Sequence, residues 1–101
     1  MRALIIDPGK VPEICRLPDT GQELERWLGG PMQMQKFGHC FAALLYSRQA
    51  GAARPNRRYL DHWYYGRLLI VGCRNNRLGS LPKDLARQLA QQWANVEVQK
   101  T

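Results

Sequence analysis

The sequence predicts one small α+β domain over residues 1–101. It has a mostly antiparallel sheet of about five strands, in the order β-β-α-β-β-loop-β-α, with two helices packed on one face. Three observations carry this expectation. A chain of 101 residues suits one domain with one modest core. Its apolar runs are short and bounded by Gly, Pro or Asn, as strands are. Two further segments combine helical leucine spacing with marked ends.

MRALIID begins with a continuous apolar run, Ala3 to Ile6, the pattern of an interior strand covered on both faces. Pro8 and Gly9 punctuate a turn. VPEICRL reads as a second strand, and Pro12, lacking an amide donor, places it at a sheet edge. TGQELERWLGGP reads as a short helix. Thr20 and Glu23 have capping-box spacing, Leu24 and Leu28 lie one turn apart beside Trp27, and Gly29 or Gly30 with Pro31 ends it.

Met32 and Met34 alternate with glutamines, as on a half-buried strand, and Gly38 marks a turn or bulge. Cys40 to Tyr46 is the next strand. Residues 47–55 are small and polar, an exposed loop. GRLLIVGCR, between Gly66 and Gly72, is the clearest strand, and NNRLG is a turn signal after it. SLPKDLARQLAQQWANVEV is the last helix. Ser80 is a credible cap, Pro82 sits in the first turn, and Leu81, Leu85, Leu89 and Trp93 recur every four residues as one apolar stripe.

The net charge is +7, and its distribution is uneven. From Arg48 to Arg77 the chain holds seven arginines against one acid, Asp61, a net +6. The remainder is nearly neutral. Arginine suits bidentate contacts to carboxylate or phosphate and stacking on rings, so a partner with negative charge is expected.

Several classes are excluded or unsupported. No apolar run approaches a membrane span. Asp7 and Pro8 interrupt the apolar start, unlike a signal peptide, so a cytoplasmic chain is expected. Cys15, Cys40 and Cys73 are odd in number with no paired spacing, as expected of free thiols in a reducing compartment. Neither serine lies in a nucleophile elbow, and no carboxylates are poised as a pair. No enzyme and no cofactor are expected. The adjacent His39 and Cys40 point to opposite faces of a strand, so no metal site is expected.

The stretch RPNRRYLDHWYYGR carries the candidate binding residues: Arg54, Asn56, Arg57, Arg58, Tyr59, Trp63, Tyr64, Tyr65 and Arg67. Arginine interleaved with aromatic rings is what nucleotide and single-strand sites use, guanidinium on phosphate and ring on base. The same composition marks protein-interface hot spots. A third reading is structural, with Trp63 and Leu60 anchoring the segment and the arginines solvating it. Asn56, which can bond backbone and hold a turn, is read as structural. Arg57 is read either as a clamp on the Gly29–Gly30 carbonyls or as a phosphate or carboxylate contact.

Six segments together resemble the domain of unknown function 3846 family found in phages and plasmids. They are MRALIIDPGK, LERWLGGPMQM, FAALLYS, the triplet Pro55-Asn56-Arg57, GRLLIVG and SLPKDLARQL. The resemblance spans nearly the whole chain. This sequence departs from the family pattern in SRQAGAARP and in the arginine and aromatic richness that follows. The resemblance implies a mobile-element context in a bacterial host and transfers no activity. The expected function is a non-catalytic accessory protein, monomer or homodimer. It holds an acidic host protein surface, an anti-viral defence protein among the targets, through the basic aromatic segment. The alternative is nucleic-acid or nucleotide binding by the same segment.

Overall fold

The computed structural model describes residues 1–48 and 54–94. Its elements are β1 (Arg2–Ile6), β2 (Glu13–Arg16), α1 (Gly21–Leu28), β3 (Gln33–Lys36), β4 (Ala42–Tyr46), β5 (Pro55–Tyr59), β6 (His62–Tyr65), β7 (Leu68–Arg74), β8 (Arg77–Gly79) and α2 (Lys83–Ala94). The main sheet runs β2-β1-β7-β4-β3, with β8 paired to β7 as its sixth strand. Every pairing is antiparallel. The predicted α+β class holds.

The strands β1, β4 and β7 form the centre because their residues are apolar at nearly every position. Alternation sends Leu4, Ile6, Leu44, Leu68 and Ile70 to one side, where Leu81, Ala86, Leu89 and Trp93 pack. Ala3, Leu45, Leu69 and Val71 face the other side, against Leu24 and Leu28 of α1. The two helices therefore cover opposite faces rather than sharing one. The reason is physical: a central strand apolar on both sides needs cover on both sides.

Both ends of α1 match their sequence signals. The Glu23 amide donates to Thr20 Oγ1 at 3.4 Å, and Gly29 closes α1 in the left-handed conformation at φ 84°. Ser80 is not a helix cap. Its hydroxyl accepts from the Arg2 amide at 2.8 Å and ties the start of β1 to the approach of α2. Leu81, Leu89 and Trp93 of the stripe are buried, while Leu85 is partly exposed.

Three strands, β5, β6 and β8, exceed the predicted count. β7 turns back through Asn75 and Asn76, both left-handed at φ 53° and 64°, into β8. Paired left-handed residues make the tight turn that fits a hairpin's twist. The second addition is a separate two-stranded sheet, β5-β6, closed by Leu60 and Asp61 at φ 52° and 59°. The loop expected over 47–55 falls largely outside the described residues, and so do residues 95–98 of the expected last helix.

Candidate functional site

The β5-β6 hairpin contains the candidate stretch except Arg54 and Arg67, which flank it, and its geometry sorts the residues by side. Arg57 pairs with Tyr64, Arg58 with Trp63 and Tyr59 with His62, so each pair shares a face. The inner set is Arg57, Tyr59, His62 and Tyr64. The outer set is Arg58 and Trp63, continued by Pro55 and Tyr65 beyond an irregularity between Pro55 and Arg57. The segment is thus both core and surface: Asn56, Arg57 and Tyr64 are buried, Arg58 and Tyr65 are exposed, and His62, near the tip, is exposed although it shares the inner face.

The inner face completes the α2 side of the core. Tyr64 is buried, with its ring 4.8 Å from Tyr46 in an edge arrangement. Tyr59 lies 4.9 Å from Trp93 and 5.5 Å from Phe37, centroid to centroid. Such pairs contribute about 0.5–1.5 kcal/mol each beyond area burial. Burial raises the Tyr59 and Tyr64 hydroxyl pKa values above the ordinary tyrosine value. Tyr59 and Tyr64 therefore serve as packing residues here.

Asn56 is fully buried. Its side-chain amide donates to Ile6 O at 2.8 Å and to Gly66 O at 2.6 Å, pinning the base of the hairpin to the end of β1. Arg57 is 1% exposed, and all three of its nitrogens donate inward. Nε reaches Trp93 O at 3.0 Å, one terminal nitrogen reaches Asn56 Oδ1 at 3.0 Å, and the other reaches Lys10 O at 2.5 Å. The clamp exists, but its carbonyls belong to Lys10 and Trp93, not to the Gly29–Gly30 turn. The hairpin crosses the α2 side of the sheet, and the glycine turn lies beyond α1 on the other.

Trp93 belongs to the last described turn of α2, towards whose C-terminal end the helix dipole is negative. That turn contains no basic residue of its own. Arg57 supplies the cation from another element. Burial lowers its pKa from the ordinary arginine value.

The outer face is different. Tyr65 is 48% exposed and Leu60, at the tip, 73%. Trp63 is half-buried, and Arg54 and Arg58 are exposed. Arg58 pairs with Asp61 at 3.0 Å, a surface ion pair worth about 0–1 kcal/mol. Arg67 pairs with Asp7 at 2.8 Å and places its guanidinium 5.4 Å from the Trp27 ring centre. Asp7 and Trp27 thus adjoin the stretch without having been marked as site residues by the sequence. The pairing of β1 with β7 and the packing of α1 on the sheet bring them there. Among the described residues no group of His, Cys, Asp or Glu is placed to hold a metal ion. No helix among them is long and apolar enough to cross a membrane.

A family model described as "Domain of unknown function (DUF3846)" matches residues 1–94. No curated protein and no solved structure gives a match.

Proposed function

The chain belongs to the DUF3846 family, and on that premise we propose that it is a non-catalytic accessory protein of a phage or other mobile element. In this reading it modulates or inhibits a host protein, a component of anti-viral defence among them, by holding an acidic surface of that protein. The outer face of the β5-β6 hairpin is the contact. The observation that carries the proposal is the exposure of Leu60 and Tyr65 beside Arg54, Arg58 and the half-buried Trp63. Aromatic rings with arginine are the chemistry of protein hot spots. An exposed leucine at the tip adds apolar contact that a phosphate backbone does not use.

The test is a capture experiment from bacterial host lysate with and without nuclease. It compares the native chain with an Arg58→Ala/Tyr65→Ala variant. The native chain should retain an acidic protein after nuclease treatment, and the variant should lose it. Its melting temperature should stay near the native value, since exposed changes cost about 0.5 kcal/mol or less. Capture that nuclease abolishes, or that the variant preserves, refutes the reading.

A further inference from the structure

We infer that the end of the sheet formed by the β3–β4 loop and the β7–β8 turn is a second binding surface, for single-stranded nucleic acid. It is separate from the outer face of the β5-β6 hairpin.

The first observation is an unfavourable pair. Arg74 and Arg77 are directly opposite each other on β7 and β8, and both are exposed. Like charges in that position destabilise a hairpin. Neither has an acidic partner among the described residues. The Lys36 ammonium meets the Asn76 side-chain oxygen and so brings a third cation onto the same turn. Between Glu25 and Asp84 the only acid in the chain is Asp61, which is engaged with Arg58 on the other hairpin. The Phe41 ring takes up the Arg74 guanidinium but supplies no negative charge, so the pair is expected where a ligand brings that charge.

The second observation is an exposed ring. Phe41 is 61% exposed, and the Arg74 guanidinium carbon lies 4.2 Å from its centre. Phe41 lines two clefts at once. One, of about 560 Å³, also holds Lys36, His39, Asn75 and Asn76. The other, of about 220 Å³, also holds Arg74, Arg77 and Ser80. A chain passing from one cleft to the other crosses the ring with cations on both sides.

This is the chemistry of a single strand: a base stacks on the ring while Lys and Arg take the phosphates. The asparagine amides offer donors and acceptors to base edges. A paired base inside a duplex cannot stack on a ring set between clefts, so the unpaired strand is favoured. An acidic peptide would match the charge but carries no planar base to lay on the exposed Phe41 ring.

The test uses fluorescein-labelled oligothymidine and anisotropy at several salt concentrations. The competitors are a duplex, thymidine monophosphate and polyglutamate, and circular dichroism melts monitor the fold. The oligomer should bind in preference to all three. Phe41→Ala should weaken it about tenfold. Arg77→Ala should flatten the slope of log affinity against log salt by about 0.7. It should also leave the melting temperature unchanged or raised, because it removes a repulsive pair; a merely structural arginine would lower it. The Arg58→Ala/Tyr65→Ala variant should bind the oligomer as the native chain does. The proposal fails if the oligomer does not bind, if Phe41→Ala has no effect, or if any competitor matches the oligomer. It also fails if the hairpin variant alone loses the oligomer, which would place nucleic acid on the other surface and overturn the protein-partner reading instead.

Discussion

Replacing Arg57 by methionine tests whether this arginine is an internal clamp. Methionine has similar length and no charge. The substitution removes donors to Trp93 O, Lys10 O and Asn56 Oδ1. Hydrogen bonds from a charged group contribute about 1.5–3 kcal/mol each, so the gross loss is about 6 kcal/mol. Against it stands the cost of burying a guanidinium, several kcal/mol, which methionine avoids. The net expectation is a destabilisation of about 2–4 kcal/mol. For a chain of this size that lowers the melting temperature by about 10–20 °C. Arg57→Lys sharpens the test. One ammonium cannot reproduce the fork across three separate acceptors, and it leaves a buried charge with fewer partners. Lysine should therefore destabilise at least as much as methionine. The measurement is urea unfolding followed by circular dichroism, with the linear extrapolation for all three proteins. A methionine variant within about 0.5 kcal/mol of the native chain, or a lysine variant that restores native stability, would refute the clamp.

Gly72→Ala should be poorly tolerated, because a Cβ there would lie 2.5 Å from the Ser80 carbonyl oxygen and 3.0 Å from that of Gly79. A loss of about 1–3 kcal/mol in a urea titration is expected, and an unchanged midpoint would mean that the strand after β7 is held loosely. Leu89→Ala should cost about 2–5 kcal/mol, and Leu85→Ala clearly less, because Leu89 is 1% exposed and Leu85 only half-buried; equal losses in chemical denaturation would contradict the packing of α2. Stability should also fall in alkali. Burial raises Cys15 and Cys40 above the ordinary thiol value of 9.0 and Tyr59 and Tyr64 above the ordinary phenol value of 10.0. The folded state thus holds these protons more tightly than the unfolded one. That contribution is complete below 9.0 and is lost as pH rises through the folded values. Melting temperatures flat from neutral pH to beyond pH 10.0 would contradict it.

The parts of the fold legible in the sequence are those set by local rules. Ala3 to Ile6 and Leu68 to Val71 are apolar without interruption, and both became central strands. Thr20 and Gly29 marked the ends of α1. The β5-β6 hairpin escaped because its turn uses Leu60 and Asp61 where such turns ordinarily use Asn or Gly. Asn75 and Asn76 did announce a turn, but three residues with one arginine are too short to announce β8. In the candidate stretch, composition could not separate Arg57 from Arg58. Adjacent residues on a strand face opposite ways, so one is a buried clamp and the other lies on the surface. Reading RPNRRYLDHWYYGR as two paired strands would have made that division visible. The Arg74–Arg77 opposition is hidden for a similar reason, since it exists only once the turn between them closes.

The position of β7 has a consequence for synthesis on the ribosome. β1 pairs with β2, and β3 with β4, but neither hairpin bonds directly to the other. β7, which lies between β1 and β4, leaves the ribosome after both. Until it arrives, the nascent chain holds three two-stranded units, β1-β2, β3-β4 and β5-β6, each marginal in water. The two hairpins of the main sheet expose apolar faces that α1 alone cannot cover. The main sheet therefore assembles late and nearly at once, when Leu68 to Arg74 slots between strands already waiting. A nascent chain stalled before Leu68 should be readily cleaved by protease, and one stalled well beyond Ala94 should resist it.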